Sequence, residues 1–167
     1  RLALMGFSMG GRLAMTLANT DLRYKTLGLW APSADAGAST LFDFFGGEAN
    51  FEQMQKRAND EGFAPFTTSW GQDQELSARW FSDMQRSRPL ERVKTFDGKL
   101  FVLYGSNDTV VPPAEAERVI TAAQSAASKK RYIVKGADHG LGLFSDEPHL
   151  TKEAVSATAE FFAESLL

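Results

Sequence analysis

The sequence contains no cysteine, which excludes disulfides and thiolate metal sites, and its two histidines leave little for a metal. No apolar run approaches 18 residues, so no segment reads as a membrane span. Basic residues form no cluster, and 18 Lys and Arg against 21 Asp and Glu give a net charge of −3. That balance offers no reason to expect nucleic acid or an anionic membrane as partner. Repeats and low-complexity tracts are absent, and nothing calls for a cofactor. Compartment stays open, because a cysteine-free chain suits either side of a membrane. An initiator Met is also lacking, and Arg1 stands one position before an apolar strand. The chain therefore reads as a fragment without its N-terminal part, with any targeting sequence lost alongside it.

What is present fits one ordinary globular domain: 167 residues, 43% hydrophobic and 23% charged. Gly6-Phe7-Ser8-Met9-Gly10-Gly11 stands out. Leu2-Ala3-Leu4-Met5 before it has no polar face, as expected of a strand buried on both sides of a parallel sheet. Arg12 to Ala18 after it is rich in Leu, Met and Ala, which suits a helix. G-x-S-x-G between strand and helix is the nucleophile elbow, a sharp turn that lifts a serine hydroxyl to the top of a sheet. Gly6 and Gly10 are expected to remove Cβ atoms that would clash as strand and helix close up. Chance alone places such a match in about 5% of chains this long, so later motifs must decide.

Thr26 to Ala31 reads as a second buried strand, stopped by Pro32. Strand, helix and strand in about 30 residues make a βαβ unit and hence a parallel sheet. From Ser33 to about Arg88 the rhythm changes. Phe51, Met54 and Ala58 mark one face of a short helix, and Leu76, Trp80 and Met84 mark another. Gly62 to Asp73, with Pro65 and Gly71, is too broken for a long regular element. Nine of the 19 aromatics fall between Phe42 and Phe81, so this stretch reads as an insertion over the site. Its rings, Phe42, Phe45, Trp70 and Trp80 among them, either contact substrate or merely build a core for the insertion. Lys99 to Tyr104 is a strong strand, and a helix follows from Pro113 or Ala114 to about Ala127. Arg131 to Lys135 is the last strand. A final helix from about Leu150 to Leu166 is expected to bury Val155, Thr158, Phe162 and Leu166.

A serine hydroxyl needs a base, and the base needs a group that fixes its tautomer. His139 in Gly136-Ala137-Asp138-His139-Gly140 follows the last strand and so reaches the same carboxyl-end rim as Ser8. His149, near the start of the final helix, reads as a surface or packing residue. Asp108 follows the Lys99–Tyr104 strand directly and also reaches the rim. Asp35 is the runner-up acid, Asp97 lies at the opposite end of that strand, and Asp138 reads as a turn residue. Ser8, Asp108 and His139 thus occur in the order Ser, Asp, His, each at the end of a different strand.

G-F-S-M-G-G at 6–11, Y-G-S-N-D-T-V-V-P at 104–112 and G-A-D-H-G at 136–140 resemble the elbow, acid loop and histidine loop of α/β-hydrolase-fold serine hydrolases. The likeness covers nearly all 167 residues and is greatest to capped esterases of the monoacylglycerol lipase, lysophospholipase and cinnamoyl esterase type. The resemblance implies an α/β fold: the C-terminal half of that sheet, about four mainly parallel strands flanked by helices, with an inserted helical cap. Core residues 1–33 and 89–167 would enclose a cap at 34–88. It implies hydrolysis of a small-molecule carboxylic ester through Ser8, His139 and Asp108, with Met9 N–H as one oxyanion donor. The second donor would come from a loop outside these residues, and the fragment alone is expected to be inactive or poorly folded, with an apolar edge at Leu2–Met5. The same triad also serves peptidases, thioesterases, C–C hydrolases and perhydrolases, and a non-catalytic binding member of the fold is a further alternative.

Overall fold

The computed structural model describes residues 2–35, 41–68 and 71–166. In chain order the elements are β1 (Leu2–Phe7), α1 (Met9–Leu17), β2 (Tyr24–Trp30), α2 (Glu48–Glu61), β3 (Phe63–Thr67) and β4 (Asp73–Ser77). These are followed by α3 (Ala78–Arg86), α4 (Pro89–Val93), β5 (Lys99–Gly105), α5 (Pro113–Ala122), β6 (Ser128–Val134) and α6 (Pro148–Leu166). They group into two compact units, residues 1–34 with 88–167 and residues 35–87.

The first unit is built on a four-stranded sheet in the order β1-β2-β5-β6, parallel throughout. β5 shows why an unbroken apolar run makes a central strand. Leu100, Val102 and Tyr104 pack with Met15 of α1, Val93 of α4 and Val119 of α5. Phe101 and Leu103 point the other way and pack with Leu150, Ala154 and Phe161 of α6. Alternate residues thus serve opposite faces, and helices cover both. Gly28 in β2 has its own reason. A Cβ there would lie 2.7 Å from the Phe162 ring, so its absence lets α6 sit close on the sheet.

Several expectations need correction. β1 is the apolar edge strand expected of these residues, and the two-sided burial suggested by its pattern is not met: Leu2 is 40% and Met5 49% exposed. The opposite edge, β6, is protected by exposed Lys129, Lys130 and Arg131. α6 buries Leu150, Ala154, Ala157, Thr158, Phe161 and Ser165, whereas Val155 and Leu166 are exposed. Its buried stripe is rotated by about one position because small residues at 154 and 157 admit the sheet, leaving Phe161 to stack on Phe101 at 4.9 Å. α5 stops at Ala122, five residues early. The chain beyond it spends its amides elsewhere, with Ser125 N–H donating to Lys94 C=O and Ala127 N–H to Gly98 C=O.

In the second unit a β-hairpin lies between α2 and α3. β3 and β4 pair antiparallel with Ala64 opposite Leu76, so Leu76 belongs to a strand and not to the following helix. Pro65 is tolerated because both strands of a two-stranded sheet are edges. Ser77 caps α3, its Oγ accepting from Trp80 N–H at 3.2 Å. Phe45, Phe51, Leu76 and Phe81 form a buried core, joined by Phe42, Phe66 and Trp80.

Candidate active site

The elbow begins where β1 runs into α1. Ser8, between them, adopts φ 53° and ψ −118°, a left-handed conformation uncommon for a residue with a Cβ. A Cβ on Gly6 would lie 2.2 Å from the Gly10 carbonyl oxygen, so only glycine fits there. The second close approach is not at Gly10, where a Cβ would meet nothing within 4 Å. It is at Gly11, where a Cβ would come within 2.9 Å of the Pro32 side chain. The turn is tight at its first glycine and against the segment leaving β2, while Gly10 faces open space. Met9 opens α1, so its N–H has no intrahelical acceptor and is free to meet an oxyanion.

The acid loop leaves β5 at Gly105. The Asp108 side chain is fully buried (0% exposed), and its Oδ1 accepts from Val110 N–H at 2.9 Å and Val111 N–H at 2.8 Å. These two bonds fix the carboxyl and aim Oδ2 outward. The histidine loop leaves β6 through Gly136, at φ 83°. The two loops are tied together: Asn107 N–H donates to Ala137 C=O at 2.9 Å, and Gly136 N–H to Ser106 Oγ at 2.8 Å. Gly105 permits this, since a Cβ there would fall 2.2 Å from the Ala137 oxygen.

His139 stands between acid and hydroxyl. Its Nδ1 is 2.8 Å from Asp108 Oδ2 and its Nε2 2.9 Å from Ser8 Oγ. A carboxylate only accepts, so Nδ1 carries the proton and Nε2 presents a lone pair to the serine hydroxyl. The His139 side chain is 11% exposed and lies against the Phe7 ring at 5.1 Å. This arrangement can deprotonate Ser8 and then hold the resulting imidazolium.

The remaining candidates fall elsewhere. His149 is exposed at the start of α6. Asp138 is exposed, its carbonyl accepting from Leu141 N–H in a turn. Asp97 lies at the far end of β5, hydrogen-bonded at 2.8 Å to Lys25, which holds its carboxyl below the ordinary carboxylate range. Asp35 is half-buried in the second unit. Phe42, Phe45 and Trp80 pack among the rings of that unit, Phe45 against Phe66 at 4.6 Å and against Trp80 at 5.7 Å. Trp70 lies outside the described residues. Phe7 and the amides of Val110 and Val111 have no signal in the sequence, because each acts through a contact that only folding creates. Among the described residues, no group of three His, Cys, Asp or Glu could hold a metal, and no helix is long and apolar enough to cross a membrane.

The model of the prolyl oligopeptidase family matches residues 37–166. No curated protein matches the chain in sequence. Among solved structures, a soluble variant of monoglyceride lipase from Saccharomyces cerevisiae superposes with a TM-score of 0.74 at 15% identity, covering 96% of this chain and 61% of that one. An esterase domain from Rhodothermus marinus gives 0.63 at 16% identity, over 94% and 60%. The monoacylglycerol lipase of Paleococcus ferrophilus gives 0.66 at 17%, over 99% and 69%. The shared fold is that of α/β hydrolases, and this chain spans about 60% of the length of the first of these esterases.

Proposed function

Because the chain belongs to the prolyl oligopeptidase family, we propose that it carries the catalytic residues of a serine hydrolase, with Ser8 as nucleophile, His139 as base and Asp108 as its orienting acid. The observation that carries this reading is the continuous relay from Asp108 Oδ2 through His139 to Ser8 Oγ, with steps of 2.8 and 2.9 Å. Ser8 Oγ attacks the substrate carbonyl as His139 Nε2 accepts its proton. Met9 N–H donates to the developing oxyanion, aided by the N-terminal end of α1. His139 then protonates the leaving group, and water enters by the same route in reverse to release the acid. Asp108 keeps the proton on Nδ1 throughout and stabilises the imidazolium.

A carboxylic ester of a small molecule is the proposed substrate. The reading is supported by the esterases and lipases among the structural neighbours. A second reading, cleavage of a peptide bond, is favoured by the family's own description as oligopeptidases. The two differ in what His139 must protonate, an alkoxide or an amine. Assay of the full-length protein on p-nitrophenyl esters and on aminoacyl p-nitroanilides separates them. Turnover of esters with inert anilides is the expected result, and preference for the anilides would give the peptidase reading precedence.

A further inference from the structure

Ser8 holds φ 53° and ψ −118°, which a residue with a side chain keeps only where its surroundings over-determine it. Both of its backbone polar groups are gripped by the segment that leaves β2. Ser8 N–H donates to the Trp30 carbonyl at 2.8 Å, and Ser8 C=O accepts from Ser33 N–H at 3.2 Å. That segment is in turn pinned at three points. Trp30 Nε1 donates to Thr158 Oγ1 of α6 at 2.9 Å. Ala31, itself at φ 40°, donates its N–H to Leu103 C=O of β5 at 2.8 Å. The third point is Arg12, whose Nη1 donates to Ser33 Oγ at 3.3 Å.

Arg12 is an unusual residue to find there. It lies in the first turns of α1, it is only 1% exposed, and Ser33 is 3% exposed. Burying a guanidinium is costly, and an apolar side chain of the same length would fill the space without desolvation. Its position near the positive end of the α1 dipole makes the cation less favourable still. Its hydrogen bond to the Ser33 hydroxyl brings one of the guanidinium's donors to this segment. We propose that Arg12 is a positioning residue: through Ser33 it holds residues 30–33 against the elbow, and those residues hold Ser8 in the conformation that aims Oγ at His139. The inference rests on Ser8 being the nucleophile and goes beyond that reading, because it places control of the nucleophile's geometry in a buried cation outside the triad. Loss of the grip lets the Ser8 backbone relax, and a displacement of about 1 Å between reacting groups costs about 10²-fold in rate.

The test uses Ser33→Ala, Arg12→Met and Arg12→Lys in the full-length protein. Three quantities are read: the rate constant for fluorophosphonate labelling per folded molecule, kcat and KM on an ester, and the pH profile. Ser33→Ala removes only a hydroxyl and decides the matter if Arg12→Met fails to fold. The expected result is labelling and kcat lowered about 10- to 100-fold, KM changed by less than about two-fold, and the acid limb of the pH profile unmoved. Arg12→Lys falls between, since an ammonium donates as a point charge and not as a fork. A folded Ser33→Ala protein that labels and turns over at the wild-type rate overturns the inference while leaving the triad standing. Failure of the wild-type protein itself to label at Ser8 removes the nucleophile assignment and this inference with it.

Discussion

Residues 1–34 and 88–167 pack mostly aliphatic side chains on both faces of a parallel sheet, whereas residues 35–87 pack aromatic rings among two helices and a hairpin. The first unit spends glycines where backbone must meet backbone. Gly6 lets the elbow close on the Gly10 carbonyl, and Gly105 lets the acid loop touch the histidine loop. In the second unit Gly46, Gly47, Gly62 and Gly71 all have positive φ, and a Cβ on any of them would meet at most the tip of Asn50. Their work is to turn the chain, and shape depends on rings such as Phe51 and Phe81 meeting at 5.1 Å. One unit is therefore sensitive to position and the other to volume.

That contrast can be broken in order of expected effect. Asp108→Asn keeps the size of the side chain and its bonds from Val110 and Val111, but presents an amide N–H₂ to Nδ1. The imidazole then takes the wrong tautomer, and kcat of the full-length protein is expected to fall about 10⁴-fold with little change in melting temperature. An equal loss of stability would show that Asp108 holds the loop and not the chemistry. Phe81→Ala in the second unit opens a cavity and is expected to cost about 3–5 kcal/mol. Hydrogen exchange should then accelerate in α2 and α3 while β2 and β5 stay protected. Acceleration in β5 as well would mean that the two units melt as one.

Gly6→Ala and Gly10→Ala sharpen the comparison within a single motif. The first forces a methyl into a backbone oxygen and is expected to cost about 1–3 kcal/mol or more. The second meets only open space and is expected to stay within about 0.5 kcal/mol of the parent by urea unfolding. Equal costs would remove the steric account of the elbow. An effect smaller than that at Gly6 belongs to Tyr104, whose hydroxyl donates to Glu117, itself 3.0 Å from Arg131. Burial, and then the Glu117 carboxylate, push the phenol from 10.0 up to about 12. Tyr104→Phe is expected to cost about 1 kcal/mol at neutral pH. A raised acid contributes stability in full below its unfolded value and loses it as pH rises through the folded value. The gap between parent and variant therefore closes from about pH 10 to 12, and a gap that widened there would contradict the assignment.

The relay was legible in the sequence because strand ends are set locally. Leu100 to Tyr104 can only be an inner strand, so the loop after it must reach the rim, and Asp108 and His139 follow from such counting. What binds the loops to each other was not legible, since Asn107 meets Ala137 across 30 residues of chain. The hairpin at 63–77 was hidden by Pro65 and Gly71, which break a strand pattern everywhere except at an edge. The buried face of α6 was misplaced for a related reason. Val155 is the greasier residue, but Ala154 is the one small enough to let a helix settle on the sheet. Gly10 looked indispensable from the motif, whereas steric need lies at Gly6 and Gly11.

The most direct test of the account is to treat the full-length protein with a fluorophosphonate and map the adduct by mass spectrometry, beside His139→Ala. The account predicts a single adduct on Ser8 that forms at least about 10³-fold more slowly without the imidazole. An adduct on another residue, or a Ser8 adduct that forms as fast without His139, would contradict it.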